Sequence, residues 1–361
     1  MRFIVLCSAL LLPTLLALDP ESGKTTPQII ARWGYPVESH KAITSDGYIL
    51  TMHRIPRGKR GYLLADAGFD VWMGNMRGNT YSTNHTRLKI SSREFWNFTW
   101  DQMFKYDLTA MINTALATTK QSSLFYVGHS QGSMTMFAKL VTEPQFASKI
   151  KKFYALAPVT AAKNMKGLMA LTSRNFYPTF KSLYHNGTDR FLPDTNLFKD
   201  LKSQFCDNPY TPIVCHNLVL GLAGPSRQMN TSRLDVFLTE LPAGTSMLNA
   251  IHSAQLILTG EYKAFDFENA NLNVKHYGTP TPPHYDLSKI ANVKIGIYYS
   301  DFDFIATTKD IQTFLLKRLP KKVVEQSVKL FRFNHMDFVW GKNATKHIYV
   351  PLIDDMKMKL N

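Results

Sequence analysis

The chain alternates short apolar runs with longer stretches whose apolar residues recur every three or four positions. Tyr48 to Arg54 reads as a strand, with Pro56-Arg57-Gly58 as the turn after it. Leu63 to Ala67 followed by Gly68 reads as the end of a helix with its glycine cap. Phe69 to Met73 is the next strand. From Asp101 to Thr119 the spacing predicts a helix, with Asp101 as cap or first-turn acid. Leu124 to Val127 is a short buried strand, Gln131 to Val141 a helix, and Phe153 to Leu156 a strand again. Strands alternating with helices predict a mostly parallel sheet in an α/β fold.

Residues from about 160 to 240 break this rhythm. They are rich in Met, Phe, Leu, Asn and Pro, and they read as a mostly helical cap inserted over the sheet. The alternation resumes with a strand over Lys294 to Tyr299, a helix from about Thr308 to Leu319, a strand over Val328 to Phe333 and a last helix over roughly Ala344 to Leu360. The expected organisation is a leader over 1–17, a first part of the sheet domain over 18–159, the cap over 160–240 and a second part over 241–361.

The leader follows from Met1-Arg2, the apolar run Phe3 to Leu16, and small Ala17 before polar Asp19 and Glu21, the layout of a secretory signal peptide. Secretion or delivery to the lysosome is the expectation. Five N-x-[ST] sequons, at Asn84, Asn97, Asn186, Asn230 and Asn343, fit that route. With Cys7 inside the leader, Cys206 and Cys215 remain and can pair in an oxidising compartment. In 361 residues, 23 Phe, 16 Tyr and 5 Trp exclude disorder as the dominant state, and no internal stretch approaches the ~20 apolar residues of a membrane span. The formal charge of +15 favours anionic partners such as a lipid surface. The basic residues form no compact block, which argues against nucleic acid.

The chemistry centres on Gly128-His129-Ser130-Gln131-Gly132. This G-x-S-x-G follows an apolar strand and opens a helix, the context of a nucleophile elbow. Ser130 would sit on a tight turn, and the N–H of Gln131, at the helix N-terminus, would face a developing oxyanion. A serine hydroxyl needs a base, and the elbow predicts the chain order Ser, acid, His. Asp301 or Asp303, where a strand runs into a turn, can supply the acid; His335, after a strand end, can supply the base, with His252, His276 and His284 as competitors on spacing alone. One β/α unit fits between Asp303 and His335. Asp337 could instead cap the segment after it. No H-E-x-x-H or paired C-x-x-C spacing appears, so neither metal nor organic cofactor is expected.

Further segments carry a resemblance. Thr44-Ser45-Asp46-Gly47-Tyr48, Ala65-Asp66-Ala67-Gly68-Phe69-Asp70-Val71-Trp72, Gly74-Asn75-Met76-Arg77-Gly78-Asn79-Thr80, Lys105-Tyr106-Asp107, Pro242-Ala243-Gly244-Thr245-Ser246 and Asn334-His335-Met336-Asp337-Phe338 occur in order. Together with the elbow they resemble the acid lipase family of α/β hydrolases, the gastric, lingual and lysosomal acid lipases and their invertebrate relatives. The resemblance implies an α/β-hydrolase fold with a lid over an apolar cleft and cleavage of triacylglycerols or cholesteryl esters at a lipid–water interface. It implies Ser130 as nucleophile, Asp303 rather than Asp301 as the acid, and His335 as the base. It also implies Cys206 with Cys215 as the family's cap-domain pair.

One departure stands out. The family carries a strand ending in a His-Gly loop ahead of the Ala-Asp-Ala-Gly segment; that strand lies beside the nucleophile strand, and the loop supplies an oxyanion N–H. Here Ile55-Pro56-Arg57-Gly58-Lys59-Arg60 runs almost directly into Gly61-Tyr62-Leu63-Leu64, and none of the 11 histidines is followed by glycine. The expectation is an impaired enzyme with little or no activity. The competing readings are a lipid-binding pseudoenzyme and, from the generic elbow alone, a peptidase or thioesterase.

Overall fold

A computed structural model describes residues 19–58, 63–192 and 212–360. The leader over 1–17 and Cys206 lie outside the described residues. Ten strands are assigned among them. β1 (Glu38–Ile43), β2 (Tyr48–Ile55), β3 (Val71–Gly74) and β4 (Asn84–His85) form one sheet, in which β2 pairs antiparallel with the other three. β5 (Leu124–His129), β6 (Ile150–Leu156), β9 (Ile295–Ser300) and β10 (Val324–Leu330) form a second, fully parallel sheet in the order β10-β9-β6-β5. β7 (Arg190–Phe191) and β8 (Thr245–Ser246) are a two-residue antiparallel pair near the cap.

The parallel sheet is the expected one, and its central strands are apolar for the expected reason. Phe153 to Leu156 and Ile295 to Ile297 are covered on both faces, as strands joined by helical crossovers must be. The helix Gln131–Thr142 packs on β5 and buries Met134, Met136, Phe137 and Leu140. The helical stretch from Trp100 to Thr119 is capped by Thr99, with Asp101 in the first turn, and passes through a π-helical segment at Met103–Asp107. In the cap, the helix Gly167–His185 packs on the helix Met247–Thr259 through Tyr177, Met247, Leu248 and Ile251, and it contacts the helix Pro212–Ala223.

Two sheets stand where the family fold implies one continuous sheet. β3 and β5 each end their sheet and do not pair with one another. Side chains meet between them instead, the rings of Phe69 and Phe125 lying edge to face with centroids 6.2 Å apart. The price shows in β5, whose Leu124 to Val127 are only half-buried, while Phe153 to Leu156 of β6 are at most 1% exposed.

The segment before β3 corrects the sequence reading. Leu63 to Gly68 forms turns rather than helix, yet it keeps the hydrogen bonds of a helix stop. The Phe69 N–H donates to the Leu64 carbonyl and the Gly68 N–H to the Ala65 carbonyl, with Gly68 at φ +92°. This pair of bonds is the Schellman stop signal, here closing turns alone over 64–68. The chain is tightest at Gly58, where a Cβ would fall 2.2 Å from the Ala65 carbonyl carbon. Only glycine fits that crossing. Two smaller differences follow from local packing. The last strand begins at Val324 rather than Val328, and the final helix opens with a π-helical turn, Thr345–Tyr349, before Val350–Met358.

Candidate active site

Ser130 stands between the end of β5 and the helix Gln131–Thr142, with φ +53° and ψ −120°. A non-glycine residue held there carries backbone strain of about 1–3 kcal/mol, typical of positions fixed for a task. The turn is held from both sides. The Ser130 N–H donates to the Leu156 carbonyl of β6 at 3.1 Å, and the Ser130 carbonyl accepts from the Ser133 and Met134 amides and from Ser133 Oγ. The flanking glycines are not equivalent. A Cβ on Gly128 would lie 2.8 Å from the Gly132 carbonyl, whereas one on Gly132 would meet only the Tyr126 hydroxyl at 3.8 Å.

The acid and the histidine arrive from the two strands beyond β6. Asp303, 2% exposed, follows β9, and its Oδ1 accepts from the Ile305 and Ala306 amides, each at 2.8 Å. Its Oδ2 lies 2.9 Å from His335 Nδ1. A carboxylate held this way is an acceptor, so Nδ1 donates and Nε2 is left with its lone pair. His335 is 3% exposed. The histidine before the nucleophile, His129, has its ring centroid 4.7 Å from that of His335 and its Nε2 2.8 Å from the His335 carbonyl oxygen. The pair therefore lies beside the elbow. Ser130 Oγ makes no hydrogen bond among the described residues, a looseness common in ligand-free hydrolases.

The competitors on spacing stand elsewhere. Asp301 accepts from the Arg332 amide and faces Lys329. His252 is buried against Trp100, with ring centroids 4.3 Å apart. His276 stacks on Phe267, and His284 bridges to Lys263. Asp337 opens the short helix Asp337–Trp340, whose N-cap is Met336. Its carboxylate accepts from the Asn334 amide and from Ser226 Oγ, tying the histidine loop to the cap, and its burial, with Asp303 nearby, raises its pKa.

Burial pushes the His129 pKa down to about 3, and the neighbouring His335 adds to this, so its ring stays neutral. No sequence pattern marked His129 as a partner of the base; only its place before the nucleophile could have drawn attention to it. The side chain of Gln131 is held by Met103 Sδ and Asn249 Nδ2, while its N–H opens the helix. Cys215 is buried and disulfide-bonded. Asn84, Asn97, Asn186 and Asn343 are exposed, and Asn230 is partly so. Among the described residues no group of three His, Cys, Asp or Glu could hold a metal ion, and no helix is long and apolar enough to cross a membrane.

Residues 26–85 match the model of a partial alpha/beta-hydrolase lipase region. Lipase lipl-5 of Caenorhabditis elegans is 42% identical, over 93% of this chain and 92% of its own length. The gastric triacylglycerol lipase of Bos taurus is 37% identical, over 94% and 93%. The lysosomal acid lipase/cholesteryl ester hydrolase of Macaca fascicularis is 36% identical over 99% of both chains. That last alignment runs over 400 positions; since 99% of 361 residues is about 357, about 43 of them fall opposite no residue of this chain. The fold is also that of a soluble variant of monoglyceride lipase from Saccharomyces cerevisiae, at TM-score 0.53 and 14% identity over 90% of this chain and 94% of that one. With a parallel α/β sheet, a serine elbow beside an Asp–His pair, and this degree of identity along nearly its whole length, the chain belongs to the acid lipase family of α/β hydrolases.

Proposed function

We propose that this chain is a serine hydrolase of lipid carboxylic esters, triacylglycerol or cholesteryl ester, working through an acyl-Ser130 intermediate. Ser130 Oγ attacks the ester carbonyl carbon while His335 Nε2 takes its proton. The tetrahedral oxyanion collapses, the C–O bond to the alcohol breaks, and the His335 proton leaves with the alcohol. Water, deprotonated by the same nitrogen, then releases the fatty acid and frees Ser130. The observation that carries this reading is the buried Asp303–His335 pair beside the strained Ser130 turn. Asp303 holds the tautomer that leaves Nε2 free and stabilises the imidazolium as it forms.

The oxyanion site is the weak point. Gln131 supplies one N–H, and the strand and His-Gly loop that would supply the other are missing between Gly58 and Ala65. One such donor is worth about 10²–10³ in rate, so the chain turns over slowly. The same observation favours a second reading, a lipid-binding protein that does not turn over. The cap suits either. Leu168, Leu171 and Phe176 on one helix, with Val214 and Leu218 on its neighbour, are exposed, a surface that fits a lipid–water interface. The secretory route is supported by the leader pattern, the accessible sequons and the disulfide at Cys215. Release of fatty acid from emulsified triolein and cholesteryl oleate by the purified chain and by Ser130→Ala tests the reading. Slow release abolished in the variant supports an enzyme. Binding to the emulsion without any release supports the binder.

A further inference from the structure

We infer that His129 is a positioning residue, whose ring N–H ties the strand carrying the nucleophile to the loop carrying the base. The inference rests on reading Ser130, Asp303 and His335 as a catalytic triad. His129 is the last residue of β5, and the acceptor of its Nε2 is the main-chain carbonyl of His335 at 2.8 Å. A carbonyl can only accept, so Nε2 carries a proton and donates it. The ring lies against that of His335 and stacks on Phe338, itself fully buried, with centroids 6.2 Å apart.

The need for such a tie follows from how the loop is held. The His335 amide donates to the Ala223 carbonyl, Asn334 Nδ2 donates to the Gly224 carbonyl, and Asp337 accepts from Ser226. All three bonds run to the cap, and His335 Nδ1 reaches Asp303 after β9, so none of these four runs to the nucleophile strand. Among the described residues, the bond from His129 is the one hydrogen bond joining residues 334–337 to residues 128–132. Among the described residues β5 is also a sheet edge, paired only with β6. The position of Ser130 relative to His335 thus depends on the β5–β6–β9 register and on this single cross-link. A cationic ring here would oppose the imidazolium that His335 becomes, and burial keeps His129 uncharged.

Two variants separate the N–H from the ring. His129→Phe keeps the stacking and removes the donor; His129→Gln keeps an N–H at a similar reach and removes the ring. The readouts are the rate of Ser130 labelling by a fluorophosphonate and the downfield proton resonance of His335 Nδ1–H, which reports its bond to Asp303. His129→Phe should slow labelling by about tenfold, the worth of one hydrogen bond, and weaken the resonance. His129→Gln should stay within about threefold of the parent on that same scale and keep the resonance. Parent-like behaviour of His129→Phe overturns the inference, as does equal loss in both variants, which would make packing the cause. If Ser130 takes no label in the parent, the triad reading fails by itself. The resonance then decides, with loss in His129→Phe alone supporting the tie and no change in either variant refuting it.

Discussion

Restoring the strand and His-Gly loop of the family between Lys59 and Gly61 tests what their absence costs. The insertion would place a strand between β3 and β5, each of which ends its sheet among the described residues. It would cover Leu124 to Val127, now half-buried, and relieve the crossing at which Gly58 abuts Ala65. It would also return the second oxyanion donor. That donor interacts with the charge of the transition state and not with the neutral ester, so the gain belongs in kcat, by about 10²–10³, or roughly 3–4 kcal/mol of barrier. The assay is hydrolysis of a soluble short-chain p-nitrophenyl ester, with active sites counted by the initial burst so that a larger folded fraction is not read as faster chemistry. A rise confined to KM, or equal kcat in the two proteins, would refute the account of the missing donor.

Other predictions can be checked more simply. Gly128→Ala should lose fold and labelling together, because its Cβ would meet the Gly132 backbone at 2.8 Å; Gly132→Ala, with room around it, should melt close to the parent in thermal unfolding. Asp355 is buried, which would raise its pKa, but Lys152, at 2.7 Å, and the Tyr154 hydroxyl outweigh this and hold it below 3.8. Its stabilisation is therefore present above that pH and lost as the pH falls through the folded-state value. Asp355→Asn should cost about 2 kcal/mol at pH 7, with the difference in urea midpoint shrinking below pH 3.8; a difference constant with pH would contradict it. Replacing Leu171 and Phe176 on the exposed cap helix by Asp should abolish flotation with phosphatidylcholine vesicles while leaving hydrolysis of a soluble ester within about twofold, since exposed substitutions seldom perturb a distant site.

Much of the parallel sheet could be read from the chain because its strands are short apolar runs bounded by turns. Leu124 to Val127 and Phe153 to Leu156 need no tertiary information to be recognised, and the elbow follows from the glycine and serine spacing at the strand's end. On spacing alone the acid and base are legible only as alternatives. Spacing leaves Asp301 beside Asp303; the family resemblance favours Asp303, and the Ile305 and Ala306 amides fold around its carboxylate. Leu63 to Gly68 misled for a clear reason. A helix stop is a local signal that turns can carry by themselves, as residues 64–68 do. Division into two sheets could not be read from propensity, since each strand keeps its own pattern whether or not a neighbour pairs with it. His129 was missed for a similar reason. Its partner is a main-chain carbonyl 206 positions away, which no side-chain pattern encodes.

The central claim is that His335, held by Asp303, deprotonates Ser130. Fluorophosphonate labelling with peptide mapping of the adduct, in the parent and in His335→Ala, tests it most directly. The account predicts one adduct, on Ser130, formed at least about 10³-fold more slowly without the imidazole. A folded parent that takes no label, a label on another residue, or equal rates in the two proteins would contradict it.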